Sequence, residues 1–171
     1  MNERLAAFVL AGGFEPAQIG HIFSFGDTPE LADRLAQLAL CGRKRATTSL
    51  LRLYAIDGER VPVANELLLI LSSECLPRAL ARVTRVDVKA FRAIDSTDAW
   101  DEGEGDRSLE YWRAAHVKYF SAETARAGLT FSEDDEVVFC RFEVRWPSVS
   151  MNHDSTNCDL KPHPRVTPGA P

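Results

Sequence analysis

The sequence predicts one α+β domain, a compact barrel-like sheet with helices packed around it. Three observations lead there. Helix-spaced and strand-spaced apolar patterns both occur, without the regular alternation that builds a doubly wound parallel sheet. The chain has 171 residues, enough for one sizeable core and short for two. Patterned sequence ends at Pro147, and the remainder of the chain is polar, proline-rich and aperiodic. The domain is therefore placed at residues 1–147, with its core at about 20–147, and residues 148–171 are expected to be a disordered or loosely ordered tail.

From the N-terminus, Leu5-Ala-Ala-Phe-Val-Leu10 reads as a helix turn; its apolar run is too short, and Arg4 beside Glu3 too weakly basic, for a secretory signal. Gly26-Asp-Thr-Pro-Glu30 is a helix start, with Asp27 or Thr28 as cap and Pro29 in the first turn. Leu31, Leu35 and Leu38 carry the apolar face of that helix, and Gly42 closes it as a left-handed cap. Ala46–Tyr54 reads as a strand, Asp57-Gly58 as a turn and Glu66–Ser72 as a buried strand. Arg78–Val88 alternates as a long strand paired with its predecessor across a turn at Pro77. Asp95–Asp106 is acidic and glycine-containing, a loop or irregular helix. Ser108 caps a helix to about Arg126, with Leu109, Trp112, His116 and Tyr119 on its buried face, and Gly128 stops it. Glu136–Trp146 alternates cleanly as the closing strand.

Bulk chemistry narrows the function. A net charge of −5 argues against a non-specific duplex DNA binder, whose affinity comes from neutralising phosphates, though a local basic cleft stays open. No apolar run is long enough to span a membrane, and a cytoplasmic protein is expected. The four cysteines, Cys41, Cys75, Cys140 and Cys158, fit neither a zinc ribbon nor a disulfide framework; Cys75 and Cys140 read as small core residues and Cys158 as a free thiol. The histidines form no zinc-hydrolase or zinc-deaminase pattern, and His116 reads as a hydrogen-bonded core residue.

Two constellations carry chemistry. In Gly42-Arg-Lys-Arg-Ala-Thr-Thr-Ser49, three cations come directly after a helix end, where the dipole favours positive charge. Either they are a solvated cap, or Lys44 and Thr47 form a catalytic pair in which a partly desolvated lysine activates a hydroxyl. In Asp101-Glu-Gly-Glu-Gly-Asp-Arg-Ser108, acids alternate with glycines before a helix. That segment is a solvated loop, a Mg²⁺ site, or the source of a glutamate general acid/base.

Taken with Phe25-Gly-Asp-Thr-Pro-Glu-Leu-Ala-Asp33, Glu102-Gly-Glu-Gly-Asp-Arg-Ser-Leu-Glu-Tyr-Trp-Arg113 and Arg141-Phe142, these segments resemble the ASCH superfamily, whose domain is similar to the PUA fold. The resemblance covers about residues 20–147 and departs from the usual pattern at Val63-Ala-Asn65, where a Gly-Asp turn is common. It implies a PUA-like β-barrel flanked by helices. It further implies an amidohydrolase of the kind that cleaves N4-acetylcytidine and related N4-acylcytidines, without a cofactor. Lys44, Thr47 and Glu104 then take the catalytic positions, with Glu102 the alternative to Glu104. Arg43, Arg45, Glu102, Asp106, Ser108 and Tyr111 are candidates to contact the nucleoside substrate. Other members of the superfamily imply a different activity, single-stranded RNA binding or Mg²⁺-dependent cleavage. Arg43, Lys44, Arg45, Arg52, Arg78 and Arg82 would then track phosphates, and Tyr54 or Tyr111 would stack on bases.

Overall fold

The computed structural model describes residues 1–147, so the expectations for the tail and for Cys158 lie outside the described residues. Those residues form an α+β half-barrel: one five-stranded mixed sheet, order β1-β3-β4-β5-β2, flanked by five α-helices. The strands are β1 (Ile19–Ser24), β2 (Ala46–Leu50), β3 (Leu67–Leu71), β4 (Pro77–Ala90) and β5 (Glu136–Trp146). The helices are α1 (Glu3–Ala11), α2 (Pro29–Leu40), α3 (Leu51–Asp57), α4 (Ser96–Glu102) and α5 (Leu109–Arg126).

The long antiparallel β4–β5 ladder is the spine of the sheet. Its register slips between Val83 and Arg85, where Thr84 is left unpaired in a bulge that reverses the facing of the strand beyond it. Val137, Val138, Phe139 and Cys140 of β5 are all buried, so this half of the strand is covered on both faces. On one side lies a cluster of α2 side chains (Leu35, Ala36, Leu38, Ala39) against Leu68, Ile70, Val83 and Phe142. On the other, Phe91, Trp112, Phe120 and Phe139 join α4 and α5 to the sheet. Leu5 and Val9 of α1 close one end over Leu69 and Leu80.

Several elements differ from their sequence reading. Ala46–Tyr54 is not one strand: β2 stops at Leu50, whose partner Val137 is the last β5 residue paired with it, and Leu51–Asp57 coils into α3 once the ladder runs out. The edge strand β1 has no counterpart in the sequence reading, because Gly20 and His21 interrupt its short apolar run; it pairs with β3 in parallel. Pro77 lies inside β4, and the turn before it is made by Ser72–Leu76, where Ser72 N–H donates to the Leu76 carbonyl at 2.8 Å. Cys75 is exposed in that turn at φ 58°, not in the core. Thr28, not Asp27, caps α2, its hydroxyl accepting from Leu31 N–H at 3.2 Å. The buried row of α5 runs through Trp112, His116, Phe120 and Thr124. Asn65 supplies by its own left-handed φ of 72° the turn for which Gly is usual.

Candidate functional site

The end of α2 and the turn after α4 are built to meet. Gly42, at φ 73°, ends α2 in a Schellman-type cap: Arg43 N–H donates to Leu38 O at 3.0 Å, and Lys44 N–H to the same carbonyl at 2.9 Å. The chain turns there and Lys44 points inward. Opposite it, Gly103 takes φ 71° and lies so close that a Cβ would collide with the Arg43 carbonyl. Gly105 likewise abuts the Tyr111 ring. Two glycines therefore let the segment Glu102–Gly105 wrap the lysine. Arg43 holds the wrap in place, donating Nε–H to Gly103 O at 2.9 Å and a terminal N–H to Gly105 O at 2.7 Å.

The result is a buried ammonium between two carboxylates. Lys44 Nζ lies 2.9 Å from Glu102 Oε2 and 2.6 Å from Glu104 Oε1. The lysine and Glu102 side chains are each 1% exposed, whereas Glu104 is 14% exposed and opens onto a cavity. Glu102 is fixed from all sides: the Thr48 hydroxyl and, at 2.9 Å, the Trp112 indole N–H both donate to its Oε1. His116 Nδ1 lies 2.9 Å from the Trp112 carbonyl, which only accepts, so Nδ1 carries the proton. His116 Nε2 then faces Glu102 Oε1 at 3.6 Å, and its ring stacks on Trp112 at 4.1 Å. Phe25 covers Lys44 with its ring centroid 5.1 Å from Nζ.

Burial pushes the Lys44 ammonium toward losing its proton, but the charges of Glu102 and Glu104 outweigh that and hold its pKa above the ordinary lysine value. Burial likewise pushes Glu102 up, and Lys44, His116 and the Thr48 hydroxyl reverse it, leaving its pKa lowered. The pair is thus ionised, a cation and an anion, and Lys44 in this arrangement is a proton donor and electrostatic group before it is a base.

A cavity of about 520 Å³ opens from this cluster between β1, β2, α3 and α5. Lys44, Thr47, Glu102, Glu104 and Tyr111 all line it. Thr47 is half-buried, and its hydroxyl makes no hydrogen bond to another group among the described residues. Four candidate substrate contacts stand away from the cavity wall. Arg43 binds the loop carbonyls; Arg45 is half exposed beside Asp101 at 3.4 Å; exposed Asp106 accepts from Ser108 N–H at 2.8 Å; and Ser108 caps α5, accepting from Tyr111 N–H at 3.1 Å. Of the basic residues considered for RNA, only Lys44 lines the cavity. Among the described residues, no group of three His, Cys, Asp or Glu side chains is placed to hold a metal ion, and no helix is long and apolar enough to cross a membrane.

Sequence reasoning missed Thr48, Trp112 and Phe25 as members of this cluster. Thr48 and Trp112 sit on positions patterned as core, and nothing in a one-dimensional pattern aims them at a carboxylate 54 and 10 residues away. Arg141, carried there only as part of the resemblance and without a role, spans Asp87 at 3.0 Å, Asp98 at 2.9 Å and Asp101 at 3.1 Å and so ties α4 to the sheet beneath the site.

Residues 21–145 match the family model described as the ASCH domain. The fold is similar to the crystal structure of an ASCH domain from Lactobacillus crispatus JV V101, at TM-score 0.78 and 29% identity over 85% of this chain and 96% of that one. It is also similar to a crystal structure of a protein from Enterococcus faecalis V583, at TM-score 0.71 and 32% identity over 81% of this chain and 83% of that one. No curated protein matches.

Proposed function

This chain belongs to the ASCH domain family, and from that premise we propose that it is an amidohydrolase cleaving the exocyclic amide of N4-acylated cytidines. The observation that carries the reading is the Glu102–Lys44–Glu104 cluster at the wall of a cavity that also presents an unengaged Thr47 hydroxyl. Amide hydrolysis needs a nucleophile, a group to take and return a proton, and a positive charge where the oxyanion develops. Thr47, Glu104 and Lys44 supply one each.

In this scheme the Thr47 hydroxyl attacks the acyl carbon while the Glu104 carboxylate takes its proton. The Lys44 ammonium stabilises the oxyanion. Glu104 then returns the proton to N4, the C–N bond breaks, and cytidine leaves. Water then gives its proton to Glu104 and attacks the acyl carbon, the ester C–O bond breaks, Glu104 returns that proton to Thr47 Oγ, and the carboxylic acid leaves. Glu102, buried and held by Thr48, Trp112 and Lys44, keeps the lysine in place and takes no part in proton transfer. The alternative in which Thr47 only positions an attacking water differs by one test, since no acyl-enzyme should then form on Thr47 during turnover.

The reading is tested by following N4-acetylcytidine hydrolysis spectrophotometrically, with and without EDTA. Turnover is expected to resist EDTA and to fall by about two to four orders of magnitude in Thr47→Val and Glu104→Gln. Circular dichroism checks that each variant is folded. Full activity in folded Glu104→Gln, or in Lys44→Ala, would sink the proposal. Single-stranded RNA as ligand of the same cavity lacks comparable support, because Arg43, Arg45, Arg52, Arg78 and Arg82 lie off its wall.

A further inference from the structure

The far end of the cavity differs in chemistry from the Lys44 end. His116 touches Glu102, and Tyr119 and Glu123 come next along α5. Seven residues separate His116 from Glu123, two helical turns on one face and about 10 Å of axial rise. Both Tyr119 and Glu123 line the cavity, and the Tyr119 hydroxyl donates to Glu123 Oε1 at 2.8 Å. The end of α3 contributes exposed Asp57 to the same wall.

In an N4-acylcytidine, the amide and the sugar sit on opposite sides of the cytosine ring. Placing the amide against Lys44 and Glu104 sends the sugar along α5 toward Tyr119 and Glu123. The length of a nucleoside matches that span, and the cavity volume suits a ligand of that size. A carboxylate with open lone pairs is a good acceptor for sugar hydroxyls and a poor neighbour for a phosphate.

The charge of the wall decides which. Six carboxylates and three Lys or Arg side chains line the cavity among the described residues. Glu102 and Glu104 already surround Lys44, so Asp27, Asp57, Glu59 and Glu123 stand against Arg34 and Lys118. The carboxylates sense one another: burial raises the Glu123 pKa, the Tyr119 hydrogen bond and Arg126 oppose that, and Asp57 and Asp27 raise it further.

We propose that Tyr119 and Glu123 of α5, with Asp57 of α3, form the sugar end of the substrate cavity and select against a phosphate on that sugar. This rests on the amidohydrolase reading and narrows it: the substrate is a free nucleoside, not a nucleotide or a residue within RNA. Phosphate-ester hydrolysis must then come first in the reaction sequence, releasing the modified nucleoside before its amide is cut.

The test is calorimetric titration of cytidine and of cytidine 5′-monophosphate into wild type, Asp57→Asn and Glu123→Gln, at 0.15 M salt. Cytidine is expected to bind the wild type at least about tenfold more tightly than its monophosphate. Each substitution removes one negative charge and should narrow that gap about threefold, mainly by tightening the monophosphate. Asp57 is exposed, so its variant tests the idea even if Glu123→Gln disturbs packing. Equal or tighter binding of the monophosphate, no binding of either compound, or an unchanged gap in folded Asp57→Asn would overturn the inference. Hydrolysis of N4-acetylcytidine on the same samples separates the two claims: turnover without discrimination sinks only this one, and discrimination without turnover sinks the hydrolase reading.

Discussion

An ammonium 1% exposed keeps its charge only through partners as well placed as Glu102 and Glu104. Removing it leaves two buried or half-buried carboxylates facing each other. Lys44→Met is therefore expected to cost about 3–5 kcal/mol in urea denaturation at neutral pH. The directions of the shifts set the pH dependence. Glu102, lowered in the fold, adds stability that is complete above the ordinary carboxylate pKa of about 4.3 and is lost as pH falls through its lower folded value. Lys44, raised, adds stability that is complete below about 10.4 and is lost as pH climbs through its higher folded value. Between those limits the pair's contribution should be flat. In Lys44→Met the sign reverses: burial without the cation raises Glu102, so acidification relieves the variant and the difference from wild type should shrink as pH falls from neutral toward the ordinary carboxylate value of about 4.3. A difference that stays constant from pH 7 to pH 4 would mean that Glu102 is not held as an anion by Lys44. From residue type and spacing the Lys44–Thr47 pair was one of two readings, and Glu102 and Glu104 were named by the resemblance to the ASCH superfamily. Which glutamate is the more exposed to the cavity was not legible, because both stand beside glycines in a repeated Glu-Gly pattern and only the three-dimensional turn separates them.

At the scale of the element, the turn after α4 depends on glycine for two reasons at once. Gly103 has a left-handed φ, and its Cα lies against the Arg43 carbonyl; Gly58 at the end of α3 has a similar φ of 68° with open space around it. Gly58→Ala should therefore show the conformational penalty alone, about 1 kcal/mol. Gly103→Ala adds a backbone collision that must move either Lys44 or its two carboxylates. It should cost about 3 kcal/mol or more and lose the proposed hydrolysis along with stability. Thermal melts of the two variants compare them directly, and equal losses would mean that the close approach at Gly103 carries no energy. Elements with strong local signals were readable in advance: the capped α2 and α5 and the alternating β5. The split of Ala46–Tyr54 into β2 and α3 was not, since it is set by where the partner strand ends. Edge strand β1 was invisible for a related reason, its pairing with β3 supplying what Gly20 and His21 withhold.

For the whole molecule, Arg141 does on the sheet what Arg43 does on the loop. It reaches Asp87 on β4 and both Asp98 and Asp101 on α4, and so sets the distance between the sheet and the helix that ends in Glu102. Burial alone would weaken its charge, but its hydrogen bond to Asp101 and the charges of Asp98, Asp101 and Asp87 raise its pKa instead. Arg141→Leu should destabilise the fold by about 2–4 kcal/mol and reduce the proposed hydrolysis without touching the cavity. Denaturation and kinetics on one sample check both, and unchanged kcat in a destabilised variant would show that α4 is held by other contacts. The α+β class was readable from the mixture of periodicities. The strand order was not, because β1 and β2, both early in the chain, occupy opposite edges of the sheet.

The contacts that make the cluster join distant parts of the chain: Lys44 meets Glu102 and Glu104 at separations of 58 and 60 residues, and β2 lies flat only against β5, which begins at Glu136. During synthesis, Lys44 thus leaves the ribosome long before anything exists to neutralise it, and Thr47 waits longer still for the strand that holds it in line. A truncated or stalled product would carry the lysine, the threonine and even both glutamates while lacking the ladder that aligns them. Any product that stops short of Glu136 lacks the strand against which β2 lies and so cannot present the proposed site in its folded geometry.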